Sequence, residues 1–227
     1  MTSFSFAESG VSFSTLTSST PCILAATTFI YGCRLALYIL LREYTVESKR
    51  KQMKDFDTKP PLQRMPLALS VSLLYAFMVS PVLFAFRGTV KAGTALDKVQ
   101  IISTCVAAFG MVLESISDQH KFEAKRKSKE GEDKFIGPTS WSYKLVRHPN
   151  YLGEILFWVG LFGSGSVSFQ KSIVAWLGGC FGLSGILGVM FGASKSLDTK
   201  QQNKYGGQPK YDQWKNTVKF SVIPFVK

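Results

Sequence analysis

Residues 65–86 read MPLALSVSLLYAFMVSPVLFAF, 22 positions without a single charged side chain. A helix rises 1.5 Å per residue, so about 20 such residues cross the roughly 30 Å hydrocarbon core of a bilayer. The apolar residues follow one another without amphipathic gaps, and Pro81 within the run is tolerated in a membrane helix. Four more stretches share this character: Ile23–Leu41, Val99–Ser117, Tyr151–Phe169 and Ser172–Ala193. The expected fold is therefore an all-α polytopic membrane bundle of about five transmembrane helices. Composition agrees, since 46% of the 227 residues are hydrophobic and only 19% are charged.

The net charge of +12 gains its meaning from where the charges fall. Residues 1–22 hold one charged side chain, Glu8. The stretch Arg42–Arg64 contains Lys49, Arg50, Lys51, Lys54 and Lys59, whereas 87–98 has only Arg87, Lys91 and Lys98 as cations. Residues 118–147 are again basic, through Lys121, Lys125, Arg126, Lys127, Lys129, Lys134, Lys144 and Arg147, and seven lysines follow Ala193. With five spans, every basic segment falls on one side of the membrane. Basic loops stay in the cytosol, which places the N-terminus lumenal or outside and the C-terminus cytosolic. Topology accounts for the lysines, no nucleic-acid motif accompanies them, and nucleic acid is not an expected partner; the bilayer is.

Cys22, Cys33, Cys105 and Cys180 are scattered without C-x-x-C spacing. Three lie in apolar runs, where cysteine behaves as a small hydrophobe, so neither a disulfide framework nor a metal site is expected. Residues 1–22 read as an extramembranous arm. Residues 23–227 read as a single membrane-embedded domain, with no internal repeat and no soluble second domain.

The chemistry is concentrated at two span ends. In the third span Glu114, Asp118 and Lys121 fall at i, i+4 and i+7, one stripe of a helix, which Lys125 extends. At the fourth, Arg147-His148-Pro149-Asn150-Tyr151-Leu152-Gly153-Glu154 crowds five polar side-chain chemistries into eight residues. Pro149 suits the first turn of a helix and His148 its N-cap. A helix N-terminus beside Arg147 and His148 is a ready anion site. Asn150 can both donate and accept, and Glu154 lies one turn further along the same face. Ionisable groups at the edge of hydrocarbon are expensive, and their usual justification is function. Arg34, eleven residues into an apolar run, is expected to face the bundle interior and pair with an acid such as Glu114 or Glu154.

These residues carry a resemblance. Gly110–Phe122 with Gly137, Trp141-Ser142-Tyr143 and Arg147–Glu154 is similar to the C-terminal domain of the steroid 5-alpha-reductase family. More closely, the chain resembles that family's uncharacterised branch, DUF1295. The tail pattern Lys204-Tyr205-Gly206, Pro209-Lys210-Tyr211, Trp214 and Ile223-Pro224, and Tyr31-Gly32-Cys33-Arg34-Leu35-Ala36 upstream, resemble the same branch. The Arg-His-Pro-x-Tyr core is shared with sterol C14-reductases and isoprenylcysteine carboxyl methyltransferases.

The resemblance implies a membrane enzyme with a nucleotide cofactor held by residues 110–227. That cofactor is NADPH in the reductases and S-adenosylmethionine in the methyltransferases. By position, Asp118, Asn150, Tyr151 and Glu154 match cofactor-pocket residues, while Glu114 stands where the steroid reductases have Asn. The expectation is an NADPH-dependent reductase of a lipophilic, sterol- or enone-like C=C bond in the endoplasmic reticulum or another internal membrane. The alternatives are an S-adenosylmethionine-dependent methyltransferase of a lipidic substrate and a non-enzymatic protein retaining the fold. In the leading case Lys121, Lys125, Arg147 and His148 hold phosphates, Asn150, Asp118 and Glu154 fix ribose and nicotinamide, and Glu114 belongs to the same cofactor site. Tyr151 or Tyr211 then acts as acid, with Glu154 beside the reacting atoms.

Overall fold

Proline punctuation starts most of the helices. The computed structural model describes residues 19–58, 60–88, 90–127 and 134–224, with backbone alone at 48–49 and 125–127. Its helices are α1 (Thr20–Thr45), α2 (Glu47–Asp57), α3 (Pro61–Arg87), α4 (Ala95–Lys127), α5 (Pro149–Ser166), α6 (Ile173–Tyr205) and α7 (Pro209–Thr217). A 3-10 turn, Trp141–Lys144, precedes α5. Proline occupies the first turn of α1, α3, α5 and α7, where its missing N–H leaves no helical bond unmade. α6 is instead capped by Ser172, whose hydroxyl accepts from the Ala175 amide.

Four helices, α1, α3, α4 and α6, are long and apolar enough to cross a membrane. Their outward faces are bare of polar cover: Phe29 is 73% exposed and Val174 79%. In water such a surface would aggregate, whereas in a bilayer it is solvated by lipid. The expected span Tyr151–Phe169 differs from the other four. It becomes α5, the shortest of the five helices at 18 residues, and ten of those residues are buried. α5 is the inner helix of the bundle, and so tolerates the Asn, Glu, Gly and Ser that dilute its hydrophobicity.

Glycine is what brings α4 and α5 together. A Cβ on Gly153 would lie 2.5 Å from the Glu114 amide nitrogen and 2.9 Å from its Cα, and one on Gly160 would lie 2.9 Å from the Ala107 Cα. Gly110 meets the backbone of Gly153 and Phe157 in return. As numbers rise along α5 their partners fall along α4, so the pair is antiparallel. Thr104 and Ser164 seal the same seam with a 2.8 Å hydroxyl contact. α3 packs antiparallel to α6 where Gly182 meets Met78, and it touches α5 where Pro81 meets Gly165. α1 leans on α4 and α5 through Tyr31 and Arg34.

Two apolar clusters result. The larger lies within the membrane bundle and includes Leu24, Tyr31, Met78, Phe157 and Leu161. The smaller gathers Phe135, Tyr143, Tyr211, Trp214 and Val218 beside the basic end. The last two membrane helices also run further than their apolar runs: α4 continues to Lys127 and α6 to Tyr205. Their polar extensions frame the aqueous side of the site.

The glycine seam makes a testable demand. Gly153→Ala should destabilise the detergent-purified protein by about 1–3 kcal/mol, since the added methyl meets backbone that cannot give way. Gly188→Ala, with nothing within 4 Å of the added carbon, should leave the thermal midpoint unchanged or raised. Equal effects would show that α4 and α5 do not meet at this register.

Candidate functional site

Three helices each present one polar stripe to the same interior volume. On α1 these are Tyr31, Arg34 and Tyr38; on α4, Glu114, Asp118 and Lys121; on α5, Asn150, Glu154 and Trp158. Spacings of three, four and seven or eight place each set on one face of its helix. Arg34 links two stripes, with Nη1 2.5 Å from Glu114 Oε1 and Nη2 2.6 Å from Asp118 Oδ2. The Glu114 side chain is 4% exposed. Arg34 thus finds the expected acid Glu114, and adds Asp118 rather than Glu154. One guanidinium bridging two carboxylates a turn apart suits its planar fork of donors.

Tyr31 lies one turn before Arg34 and stacks on Phe157 with ring centroids 3.8 Å apart, its edge toward Trp158 at 5.7 Å. That packing delivers the phenol into the α4–α5 seam. Four buried polar atoms there have no hydrogen-bond partner: Tyr31 Oη, Glu114 Oε2, Asn150 Oδ1 and Trp158 Nε1. The Tyr31 hydroxyl and the Trp158 indole N–H face the Glu154 carboxyl. Buried polar groups are nearly always paired, and three of these atoms belong to one facing group: Tyr31 stands beside Glu114 and Glu154, and Trp158 beside Glu154.

A second compartment opens toward the aqueous side. It is a small cavity of about 80 Å³ whose lining includes Lys121, Lys134, Tyr143, Arg147, Gln201 and Trp214. Gln201 Oε1 is another buried acceptor without a partner. The Tyr143 hydroxyl donates to Ser117 O at 3.1 Å, and Trp214 Nε1 donates to Tyr143 O at 3.1 Å, so this wall is locked to α4 and α7. Burial pushes the Tyr143 phenol well above its ordinary range and keeps it neutral. Lys121 joins the compartments: it lines the pocket, stands 6.0 Å over the Tyr151 ring, and lies next to Asp118 on α4.

Arg147 and His148 line this pocket, yet most of their donors point elsewhere. Arg147 Nε and Nη2 donate to the two oxygens of Asp198 at 3.1 and 2.8 Å. Its Nη1 donates to Val218 O and Lys219 O at 3.0 and 2.8 Å. His148 Nε2 meets Asp198 Oδ1 at 2.8 Å, and the Ser221 hydroxyl donates to Asp198 Oδ2 at 2.8 Å. The amides of Arg147 and His148 donate to Phe220 O and Ser221 O, both at 2.9 Å. The basic pair at the head of α5 therefore grips the C-terminal tail through Asp198. Burial lowers the pKa of His148 despite the facing carboxylate, so the imidazole is held neutral. His148 is indeed the α5 N-cap residue and Pro149 follows it in the first turn.

The remaining sequence candidates separate. Asn150, Tyr151 and Glu154 share the head of α5 with Glu114 and Asp118 close by. Tyr211 is fully buried in the smaller aromatic cluster, 5.1 Å from the Phe135 ring, apart from the Glu154 stripe. The side chain of Lys125 lies outside the described residues. Sequence reasoning missed Tyr31, Trp158, Gln201 and Asp198. Helical spacing could have found the first two, since Tyr31 precedes Arg34 by three residues and Trp158 follows Glu154 by four. Asp198 is the one acid between Ala193 and Tyr205, amid lysines.

A family model described as a protein of unknown function, DUF1295, matches residues 2–218. No curated protein and no solved structure matches the chain.

The tail grip predicts the outcome of removing its hub. Asp198→Ala leaves the partly buried Arg147 guanidinium without its counter-ion and should cost about 3 kcal/mol of stability. Hydrogen exchange at the Arg147 and His148 amides should accelerate, while the α4–α5 seam stays protected. Unchanged exchange at those two amides would show that Asp198 does not hold the tail.

Proposed function

We propose that this chain, which belongs to the DUF1295 family, is a membrane-embedded NADPH-dependent reductase of a lipophilic, enone-like C=C bond. The observation that carries the reading is the succession of polar side chains from the aqueous pocket, Lys121 and then Asp118, to Glu114, Glu154 and Tyr31 inside the bundle. A purely structural bundle has no use for such a succession, because every unpaired polar atom in hydrocarbon is costly. The resemblance of residues 110–154 to the steroid 5-alpha-reductases supports the same assignment.

The residues fit a dinucleotide. Lys121 and Lys134 supply cations for phosphates at the pocket. The unpaired acceptors Gln201 Oε1, Asn150 Oδ1 and Glu114 Oε2 require donors, which ribose hydroxyls and a carboxamide provide. When bound, the reduced nicotinamide supplies the hydride. The chain supplies the proton and the geometry. Tyr31, whose hydroxyl faces Glu114 and Glu154 within the seam, holds a proton where a substrate oxygen or carbon can take it. Glu114 and Glu154 lie beside that phenol and return the proton to it from the aqueous side by way of Asp118. In this assignment Tyr31 takes the acid role that the sequence offered to Tyr151 or Tyr211, and Arg147 and His148 act by holding the tail against the pocket. A substrate dissolved in the bilayer reaches the seam sideways between the lipid-exposed helices.

One observation favours a second reading. Carboxylates and aromatic faces dominate the inner compartment, and these suit the sulfonium of S-adenosylmethionine, as a methyltransferase would require.

A thermal-shift titration of the detergent-purified chain decides between them. A ligand at 100 times its Kd stabilises the folded state by about 2.7 kcal/mol. NADPH should raise the midpoint and S-adenosylmethionine should not; the reverse outcome would replace the reductase with the methyltransferase. Tyr31→Phe should keep the NADPH-induced shift and lose about 100-fold or more in turnover of an enone that the parent reduces. Full activity in that variant would remove Tyr31 from the chemistry.

A further inference from the structure

The 3-10 turn Trp141–Lys144 buries its tyrosine and exposes its tryptophan. Tyr143 is locked to α4 through Ser117 O, and the Ser142 and Ser117 hydroxyls meet at 3.0 Å. Trp141 and Leu145, at the two ends of the turn, are each 67% exposed. Tryptophan is seldom left so open, because its ring is one of the largest apolar surfaces a side chain can bury. Its backbone is unusual as well: φ is +57°, a left-handed conformation in which a bulky residue is a genuine outlier. Glycine or asparagine would occupy that position with less strain. A residue held in a strained conformation with its ring outside the fold has its use outside the fold.

The position of the ring shows what it meets. Trp141 packs edge-on to the His120 ring, with centroids 6.3 Å apart. On α4, His120 continues the row Ile102, Phe109 and Ile116 at spacings of seven, seven and four, which keep to one helix face. Those three side chains are exposed, and they form the α4 surface turned to lipid. His120 lies four residues beyond Ile116, about 6 Å further along the axis. The apolar run ends at Ser117, so the indole stands just past the hydrocarbon, above the outward face of α4 rather than over the polar interior. That is the headgroup level, where an amphipathic indole is best solvated. Among the described residues nothing accepts from the Trp141 indole N–H, which leaves it for a phosphate or ester oxygen. Lys144, exposed in the same turn, adds a cation that anionic headgroups attract.

We propose that the Trp141–Leu145 turn is a membrane-docking element, seated in the leaflet on the basic side of the protein with Trp141 and Leu145 at the boundary of headgroups and acyl chains. The bilayer is favoured over a protein partner because the exposed ring continues a surface that lipid already covers. Docking has a consequence for the pocket. Tyr143 in the same turn lines it, and Arg147 follows Leu145 by two residues, so the leaflet holds one wall of the aqueous pocket at a fixed depth.

The test reads Trp141 fluorescence from the purified full chain reconstituted into phosphatidylcholine vesicles, with or without bromine on the acyl chains near the ester. Bromine there quenches only what lies in the bilayer. The Trp141 signal is the difference between the parent and Trp141→Phe, which removes one of four tryptophans. Melting in detergent confirms that the variant is folded. The difference emission should be blue-shifted in plain vesicles and lost in the brominated ones. Where Trp141→Phe does not fold, the emission added by Leu145→Trp to the parent gives the same readout. Emission undiminished by bromine overturns the docking element. Quenching by aqueous iodide then puts the turn in water, and protection from iodide puts it against a second copy of this chain.

Discussion

The close approach of α4 and α5 at Gly110, Gly153 and Gly160 is the contact on which the rest of the molecule depends. Lipid tails give no hydrophobic reason for two helices to associate, so backbones must come near enough for dispersion and small polar bonds to hold them. Glycine permits that approach, and it has a second consequence. With the axes so near, side chains on the flanks of the seam are pushed into the space α1 covers, and Glu114, Asp118, Asn150 and Glu154 all occupy such flanks. The polar interior is thus a by-product of how tightly the pair is packed. A bulky residue at Gly153 would open the seam at the very turn where Glu114 begins.

Arg34 explains why α1 stays. Most of α1 is exposed to lipid, with Phe29, Leu37 and Leu41 all facing outward. Its hold on the bundle comes from Leu24, Thr27 and Tyr31, which are buried, and from the two short ion pairs of Arg34. In a low-dielectric setting such pairs are strong, yet they repay a large desolvation penalty before they stabilise anything. A hydrophobic contact would anchor α1 at less cost. Retaining ions there is therefore best understood through the site, where Arg34 orients Glu114 so that one oxygen is bonded and the other is left facing Tyr31.

The basic residues at the head of α5 show how a local pattern can be read for the wrong partner. An arginine and a histidine before a proline-started helix look like an anion cradle, and the backbone geometry supports that view. What they meet is an internal anion, Asp198, carried by a polar extension of α6 beyond its apolar run. The carboxylate, three side chains and four tail carbonyls form one bonded unit. It fixes the C-terminal segment along the pocket, so the pocket's shape depends on residues some 70 positions away in the chain.

Length and hydrophobicity decide the helices locally, which is why five apolar runs announced five helices and why Pro60-Pro61 and Pro149 marked where two of them begin. Helical spacing likewise revealed that Glu114, Asp118 and Lys121 share a face, and depth in the run showed that Arg34 needed an acid. Those are properties of a segment by itself. Which helix is inner and which faces lipid is not such a property: α5 differs from its neighbours by a few glycines and polar residues, and only packing against α3, α4 and α6 makes it central. The same holds for Tyr31, Trp158 and Asp198. Each looks ordinary in its own helix, as an interfacial aromatic or a surface acid among lysines. Their roles arise from contacts between distant helices, and such contacts exist only once the bundle has closed.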